Sequence, residues 1–264
     1  MQYKQIDLEH IKQIAIKAGE AIMEIYKQDF EVKYKDDNSP LTIADEKANQ
    51  IICEKLKELY PNIPIMSEEN KQTAYEQRKH WIEYFCIDPI DGTKEFIKKN
   101  DEFTVNIAVI YQNRPVIGVV YAAALGEMYY AKENDGAYKE VLNSKCEVLK
   151  KEKLPLKTNN DTTKNISVIA SKSHLSKQTQ QFIDNLAKNT QNLTIVSKGS
   201  SLKLCIVATG EADIYPRLAP TMEWDTAAAD AIVRESGKTT LQYDTNKEVV
   251  YNKEDLLNPW FVVK

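Results

Sequence analysis

Histidine and arginine are scarce in this chain. Its 264 residues include three histidines, His10, His80 and His174, and only four arginines among 35 basic residues: Arg78, Arg114, Arg217 and Arg234. So few histidines leave little material for a Ser-His-Asp triad. With lysine so strongly preferred, each surviving arginine is a candidate for a role that needs its planar fork. Cys53, Cys86, Cys146 and Cys205 are scattered without close pairs, which argues against a zinc site or a disulfide framework and suits a reducing compartment. No apolar run approaches the roughly 18 residues of a membrane span. Residues 1–7 lack the apolar core of a signal peptide. No glycine-rich phosphate loop, internal repeat or low-complexity tract appears. A net charge of −4 gives no support for bulk nucleic-acid binding. What remains is an ordinary globular composition, 42% hydrophobic and 28% charged, long enough for one large domain or two intimate ones.

The first half reads as two helices against an antiparallel sheet. Leu8, Ile11, Ile14, Ala15, Ala18, Ile22 and Ile25 fall at helical spacing over residues 5–27. Asn38-Ser39-Pro40 breaks the chain, and a second helix runs from Thr42 to about Leu59, before Pro61. Strands are expected at Ile63–Met66, Tyr84–Ile87, 104–111, 116–124 and 128–131, with a hairpin turn at Asn113-Arg114-Pro115. A polar stretch over 150–165, rich in Lys and Asn, reads as a link. Beyond it strands and helices alternate: strand 166–170, helix 176–188, strand 193–197, helix 200–209, strand 212–215 and helix 225–236. The expected domains are therefore residues 1–155, of α+β type, and 156–264, of α/β type.

The informative segment is Asp88-Pro89-Ile90-Asp91-Gly92-Thr93, at the end of the apolar run Tyr84-Phe85-Cys86-Ile87. Pro89 restricts Asp88 to an extended or turn conformation, and Gly92 permits dihedrals closed to other residues. Two carboxylates about 4 Å apart repel by roughly 4 kcal/mol at an effective dielectric near 20. A rigid turn that concentrates them implies a cation, and a set of oxygen donors points to magnesium or a similar hard ion. Two other acids stand at structural transitions. Glu68 follows a strand, and Asp225 opens an Ala-rich helix, where a carboxylate is a good N-cap. Singly, each has a plain alternative: an Asx-turn for Asp88 and Asp91, a solvated loop acid for Glu68, a cap for Asp225. Their joint occurrence favours a site.

Asp88–Thr93, with Glu68 upstream and Trp224-Asp225-Thr226-Ala227-Ala228 downstream, resembles the inositol monophosphatase superfamily of magnesium-dependent, lithium-sensitive phosphatases. The resemblance runs from Ala18-Gly19 to Leu257-Asn258-Pro259. Within it, Asp37–Pro40, Asp91–Lys98, Glu102–Ala108, Gly199–Lys203 and Tyr215-Pro216-Arg217 are similar to the CysQ-type 3′(2′),5′-bisphosphate nucleotidase branch. The resemblance implies a layered αβαβα sandwich of the inositol monophosphatase and fructose-1,6-bisphosphatase type. It implies that Glu68, Asp88 and the Ile90 carbonyl bind one Mg2+, that Asp88, Asp91 and Asp225 bind a second, and that a third, looser ion lies near Glu68. Such ions neutralise charge growing on phosphate oxygens and acidify the attacking water. Thr93, paired with Asp45, would orient and deprotonate that water together with Glu68. The amides of Gly92 and Thr93 would hold the phosphate.

On the same resemblance, His174 in Ser171-Lys172-Ser173-His174 would meet the adenine or ribose. Ser200, Lys203 and Arg217 would hold the phosphate that is not cleaved. Plain alternatives stay open: a helix-start acid for Asp45, a surface histidine for His174, a solvated lysine for Lys203, a structural ion pair for Arg217. Ala229 and Asp230 depart from the family pattern, which often has glycine and then a neutral or basic residue; the extra methyl is expected to shift Asp225 slightly. The implied reaction is magnesium-dependent hydrolysis of the 3′-phosphate of adenosine 3′,5′-bisphosphate to AMP, with the sulfated analogue as a further substrate, in support of sulfur assimilation. The competing readings are an inositol-phosphate or sugar-bisphosphate phosphatase and a metal-dependent nucleotide sensor without turnover. The expected partner is a small nucleotide, with no nucleic acid. The expected location is the cytoplasm, with peripheral attachment to the inner membrane suggested by bacterial relatives but required by no amphipathic anchor here.

Overall fold

The computed structural model describes residues 2–28, 32–34, 40–158, 165–170 and 176–264. Its centre is a seven-stranded sheet in sequential order: β3 (Ile65–Ser67), β4 (Glu83–Asp91), β5 (Thr104–Tyr111), β6 (Arg114–Ala122), β7 (Glu127–Lys132), β8 (Gly136–Leu142) and β9 (Val148–Lys153). All neighbours pair antiparallel except β3 with β4, which are parallel. Before it come α1 (Leu8–Tyr26), the short ribbon β1 (Val32–Tyr34) with β2 (Pro40–Thr42), and α2 (Ile43–Leu59). Two one-turn helices, α3 (Tyr75–Arg78) and α4 (Thr93–Ile97), flank β4.

Side chains alternate across the sheet, so its two faces bury different residues. Phe85, Ile87, Ile107, Val109, Val119 and Tyr130 pack with Ile11, Ala15, Ile22, Ala48 and Ile52 of the two long helices. Tyr84, Cys86, Ala108, Val120, Tyr129 and Ala131 pack on the other face, against α6 (Leu202–Thr209) and α7 (Glu223–Glu235). The contact with α7 is unusually close. A Cβ added at Gly118 would lie 2.1 Å from the Ala228 carbonyl oxygen. Glycine on β6 and the alanines of α7 are thus one fitted pair.

Outside α6 and α7 lie two small sheets. β10 (Asn165–Ala170) pairs parallel with β11 (Asn192–Ser197), and α5 (Lys177–Lys188) covers them through Ile183. The second sheet has the order β12 (Tyr215–Arg217), β14 (Phe261–Val263), β13 (Thr240–Gln242). The layers are helix, sheet, helix, sheet, helix, as the resemblance implied. Among the described residues no helix is long and apolar enough to cross a membrane.

Several local expectations need correction. β4 runs through the acidic motif, and its ladder with β5 is interrupted between Asp88 and Asp91, around Pro89, which has no N–H to offer. The hairpin turn falls at Gln112 and Asn113, both with positive φ, while Arg114 and Pro115 already belong to β6. The Lys-rich start of the expected link is the edge strand β9; lysines there keep an open edge solvated. The central sheet has one parallel pair, and α7 begins two residues earlier than expected. Asp225 is consequently the third residue of that helix and not its N-cap, which is Met222.

Candidate active site

Three strand ends and three helix starts converge on one cavity of about 480 Å3. The parallel pairing of β3 with β4 sets Ser67 beside Ile87, and the Glu68 N–H donates to the Ile87 carbonyl at 3.1 Å. Glu68, just past the end of β3, and Asp88, within β4, therefore stand side by side. Asp88 is buried and its Oδ1 accepts the Ile90 N–H at 3.0 Å, so the Asx-turn and the acidic site are the same feature. The first turn of α7 brings Asp225 in from the opposite side. Glu68, Asp88 and Asp225 each place one carboxylate oxygen within 4.8 Å of the others. Asp91, Ile90, Gly92 and Thr93 line the same cavity.

Asp45 lies behind this group on α2. Its Oδ2 accepts the Thr42 N–H at 2.8 Å and the Thr42 hydroxyl at 2.7 Å, closing a capping box. The helix-start reading of Asp45 is thus correct, and it does not exhaust the residue: the Thr93 hydroxyl stands 3.4 Å from Asp45 Oδ1 and 3.3 Å from the Ile90 carbonyl. Gly92, at φ 91°, caps α4 and makes the turn that presents Thr93. Asp225 repeats the arrangement of Asp45, accepting the Met222 N–H at 2.8 Å.

The same cavity is also lined by cations. Lys203 is buried and donates to the Ser200 carbonyl. Arg217 donates from Nη2 to the Pro220 carbonyl at 2.9 Å, and its buried Nε has no acceptor among the described residues. Among the described residues Arg217 makes no ion pair within 4 Å. Ser200 and Ser201 line it as well. His174 lies outside the described residues.

Residues not singled out from the sequence hold this part of the lining in place. The Gly199 N–H donates to Glu102 at 2.9 Å, and Ser201 donates to Asn106 at 2.9 Å while lying 2.8 Å from Thr104 Oγ1. Their only signal was that Glu102–Ala108 and Gly199–Lys203 carried the same resemblance; the fold shows that the two stretches touch. Tyr215 and Phe261 form an aromatic part of the lining, and Phe261 sits on a strand the sequence pattern had not revealed.

The electrostatics show strain among like charges. Burial, then the nearby Glu68, Asp91 and Asp225, pushes the Asp88 carboxyl well above its ordinary range. Burial pushes Asp91 up to about 6 despite the opposing Lys203, and burial with Asp91 pushes Asp225 up to about 8. Burial lowers Lys203 to about 8 against the pull of Asp91. Carboxylates arranged so that they resist ionising together fit a multivalent cation, and hard oxygen donors without nitrogen or sulfur suit Mg2+ or its like.

Sandwich, acidic cluster and hydroxyl–carboxylate pair together define a metal-dependent phosphatase. Residues 4–260 match the model of the inositol monophosphatase family, and the chain belongs to that family. It is 42% identical over 258 residues to the 3′(2′),5′-bisphosphate nucleotidase CysQ of Salmonella typhimurium, covering 97% of this chain and 98% of that one. The CysQ of Escherichia coli K12 is 38% identical over the same span and coverage. Among solved structures, CysQ from Bacteroides thetaiotaomicron superposes with a TM-score of 0.86 at 44% identity, over 97% of this chain and 96% of the other.

Proposed function

We propose that this chain hydrolyses the 3′-phosphate of adenosine 3′,5′-bisphosphate to AMP and phosphate, with magnesium, and accepts the 5′-phosphosulfate analogue. The observation that carries the reading is one cavity lined by both an acidic cluster and two cationic side chains. Glu68, Asp88 and Asp225 gather carboxylate oxygens within 4.8 Å, and Lys203 and Arg217 line the same cavity. Cations in addition to a metal-holding cluster suit a substrate with a second phosphate better than a monophosphate on a neutral ring. Likeness along nearly the whole chain to proteins named bisphosphate nucleotidases supports the same choice.

Glu68, Asp88 and the Ile90 carbonyl would hold one Mg2+, Asp88, Asp91 and Asp225 a second, and Glu68 a looser third. These ions would supply charge neutralisation on the phosphate oxygens and acidify the attacking water. The chain's own groups do the rest. Asp45, its Oδ2 engaged by Thr42, offers Oδ1 to the Thr93 hydroxyl. Thr93 Oγ1 then has lone pairs free to accept a proton from the water as its own proton passes toward Asp45. Glu68 orients the water from the other side, and the amides of Gly92 and Thr93 face the phosphate. Ser200, Lys203 and Arg217 would hold the 5′-phosphate, and His174 would contact the adenine or ribose. Purified protein with magnesium should release phosphate from adenosine 3′,5′-bisphosphate far faster than from inositol monophosphate. The reverse order would remove the nucleotide and leave the phosphatase.

A further inference from the structure

The stretch Leu257-Asn258-Pro259 belongs to the resemblance but has no place in the chemistry above. The structure gives it one. Residues 252–258 form a cradle around the first turn of α7, the turn that carries Asp225. Asn258 is buried, and its Nδ2 donates to the Met222 carbonyl at 2.7 Å and to Thr226 Oγ1 at 3.0 Å. Those two partners flank Asp225 in sequence. Met222 in turn donates its N–H to Asp225 Oδ2 at 2.8 Å, so the Asn258 amide braces, through the carbonyl, the residue whose N–H fixes the carboxylate.

The orientation of that amide is set by charge. Lys253 Nζ lies 3.4 Å from Asn258 Oδ1, which assigns the oxygen to the ammonium side and the two N–H donors to the helix side. Lys253 itself is held by the fully buried Glu223, the first residue of α7. Glu223 also accepts the N–H groups of Asn252, at 2.7 Å, and Lys253, at 3.0 Å. Arg78, from the other half of the chain, closes the cradle by donating to Asn252 Oδ1 at 3.0 Å and to the Glu254 carbonyl at 2.8 Å. These bonds offset the burial of the Glu223 charge, and in doing so they fix the first turn of α7, on which Asp225 rides.

We propose that Asn258, oriented by the Lys253–Glu223 pair, is a positioning residue that sets where the Asp225 carboxylate stands relative to Glu68 and Asp88. The inference rests on the metal-site reading above. Groups hydrogen-bonded directly to a metal ligand change metal affinity by about 10- to 100-fold when removed; Asn258 reaches Asp225 through Met222 and Thr226, which sets its effect at the low end of that range. The test is calorimetric titration of Mg2+ and Mn2+ into the full chain without substrate, beside a thermal melt in EDTA, for wild type, Asn258→Ala, Lys253→Met and Lys253→Arg. Asn258→Ala and Lys253→Met should each bind metal about 10-fold more weakly, and Lys253→Arg should come back toward wild type. In turnover the deficit should appear as a higher magnesium requirement, with KM for the nucleotide little changed at saturating metal. If Asn258→Ala does not fold, the two Lys253 variants decide the matter alone. Unchanged metal affinity in Lys253→Met, whatever happens to its melting temperature, overturns the inference and leaves the metal site standing. A wild-type chain that binds no divalent ion removes both.

Discussion

At the scale of single residues, Asp91 and Asp225 are held where burial opposes their ionisation, and this makes the metal-free chain sensitive to pH. Their folded pKa values, about 6 and about 8, stand above the ordinary carboxylate range near 4, and Asp88 shifts the same way. Between about pH 4 and pH 8 the folded chain therefore binds more protons than the unfolded one. Stability contributed by these groups is fully present below about pH 4 and is lost as pH rises through the folded values. In EDTA the melting temperature should fall from pH 5 to pH 8, and excess magnesium should flatten that slope. A rising melting temperature over that window in EDTA would contradict the assignment. Asp91→Asn removes one of the like charges, so it should flatten the EDTA slope as well. Its turnover should nevertheless drop by about 1,000-fold, the equivalent of several kcal/mol of transition-state charge stabilisation. A chain that only sensed nucleotide would show no turnover to lose, which separates the enzyme from its non-catalytic rival.

At the scale of elements, the close seat of α7 on β6 converts a packing detail into site geometry. Gly118→Ala would put a methyl 2.1 Å from the Ala228 carbonyl oxygen, so helix or strand must shift. The expected loss is about 1–3 kcal/mol in urea unfolding, with a raised magnesium requirement because Asp225 rides on the same helix. An unchanged stability would mean that the sheet yields freely there. The same element shows what a linear reading can and cannot give. Trp224-Asp225-Thr226-Ala227-Ala228 announces a helix with an acid at its start, but the start itself lies at Glu223, because Met222 and not Asp225 takes the capping position. Asp45 is legible in the same way: its capping box with Thr42 is local, and its approach to Thr93 is not. β4 was visible as an apolar run; that it continues through the acids depends on pairing with β5. Ala229 and Asp230, the departures, are both buried, and Asp230 is paired with Arg234 at 3.0 Å and with the Tyr251 hydroxyl at 3.0 Å. An acid four residues before an arginine is readable as a helix pair, whereas Tyr251 is reached only by the fold. Asn258 and Lys253 were beyond reach for the same reason, their partners lying some 30 residues away.

At the scale of the whole molecule, the acids that gather at the cavity come from both halves of the chain. Glu68, Asp88 and Asp91 belong to the central sheet, and Asp225 to the helix layer behind it, from beyond residue 156. An ion held between them would bind the folded arrangement and not the unfolded chain. Stabilisation by a ligand of that kind grows with the logarithm of its concentration over its dissociation constant, to about 2.7 kcal/mol at 100 times that constant. For a chain of this size about 1 kcal/mol corresponds to roughly 2–4 °C in melting temperature. Saturating magnesium should then raise the melting temperature at pH 8 by about 5–10 °C, from the same two relations. The rise should be larger at pH 8 than at pH 5, since protons compete for the same carboxylates. Asp225→Asn should abolish most of it by removing the one ligand supplied by the second half, although its metal-free fold, relieved of a buried charge, should melt no lower than wild type. A full magnesium-induced rise in Asp225→Asn would place the ion elsewhere, on the central sheet alone.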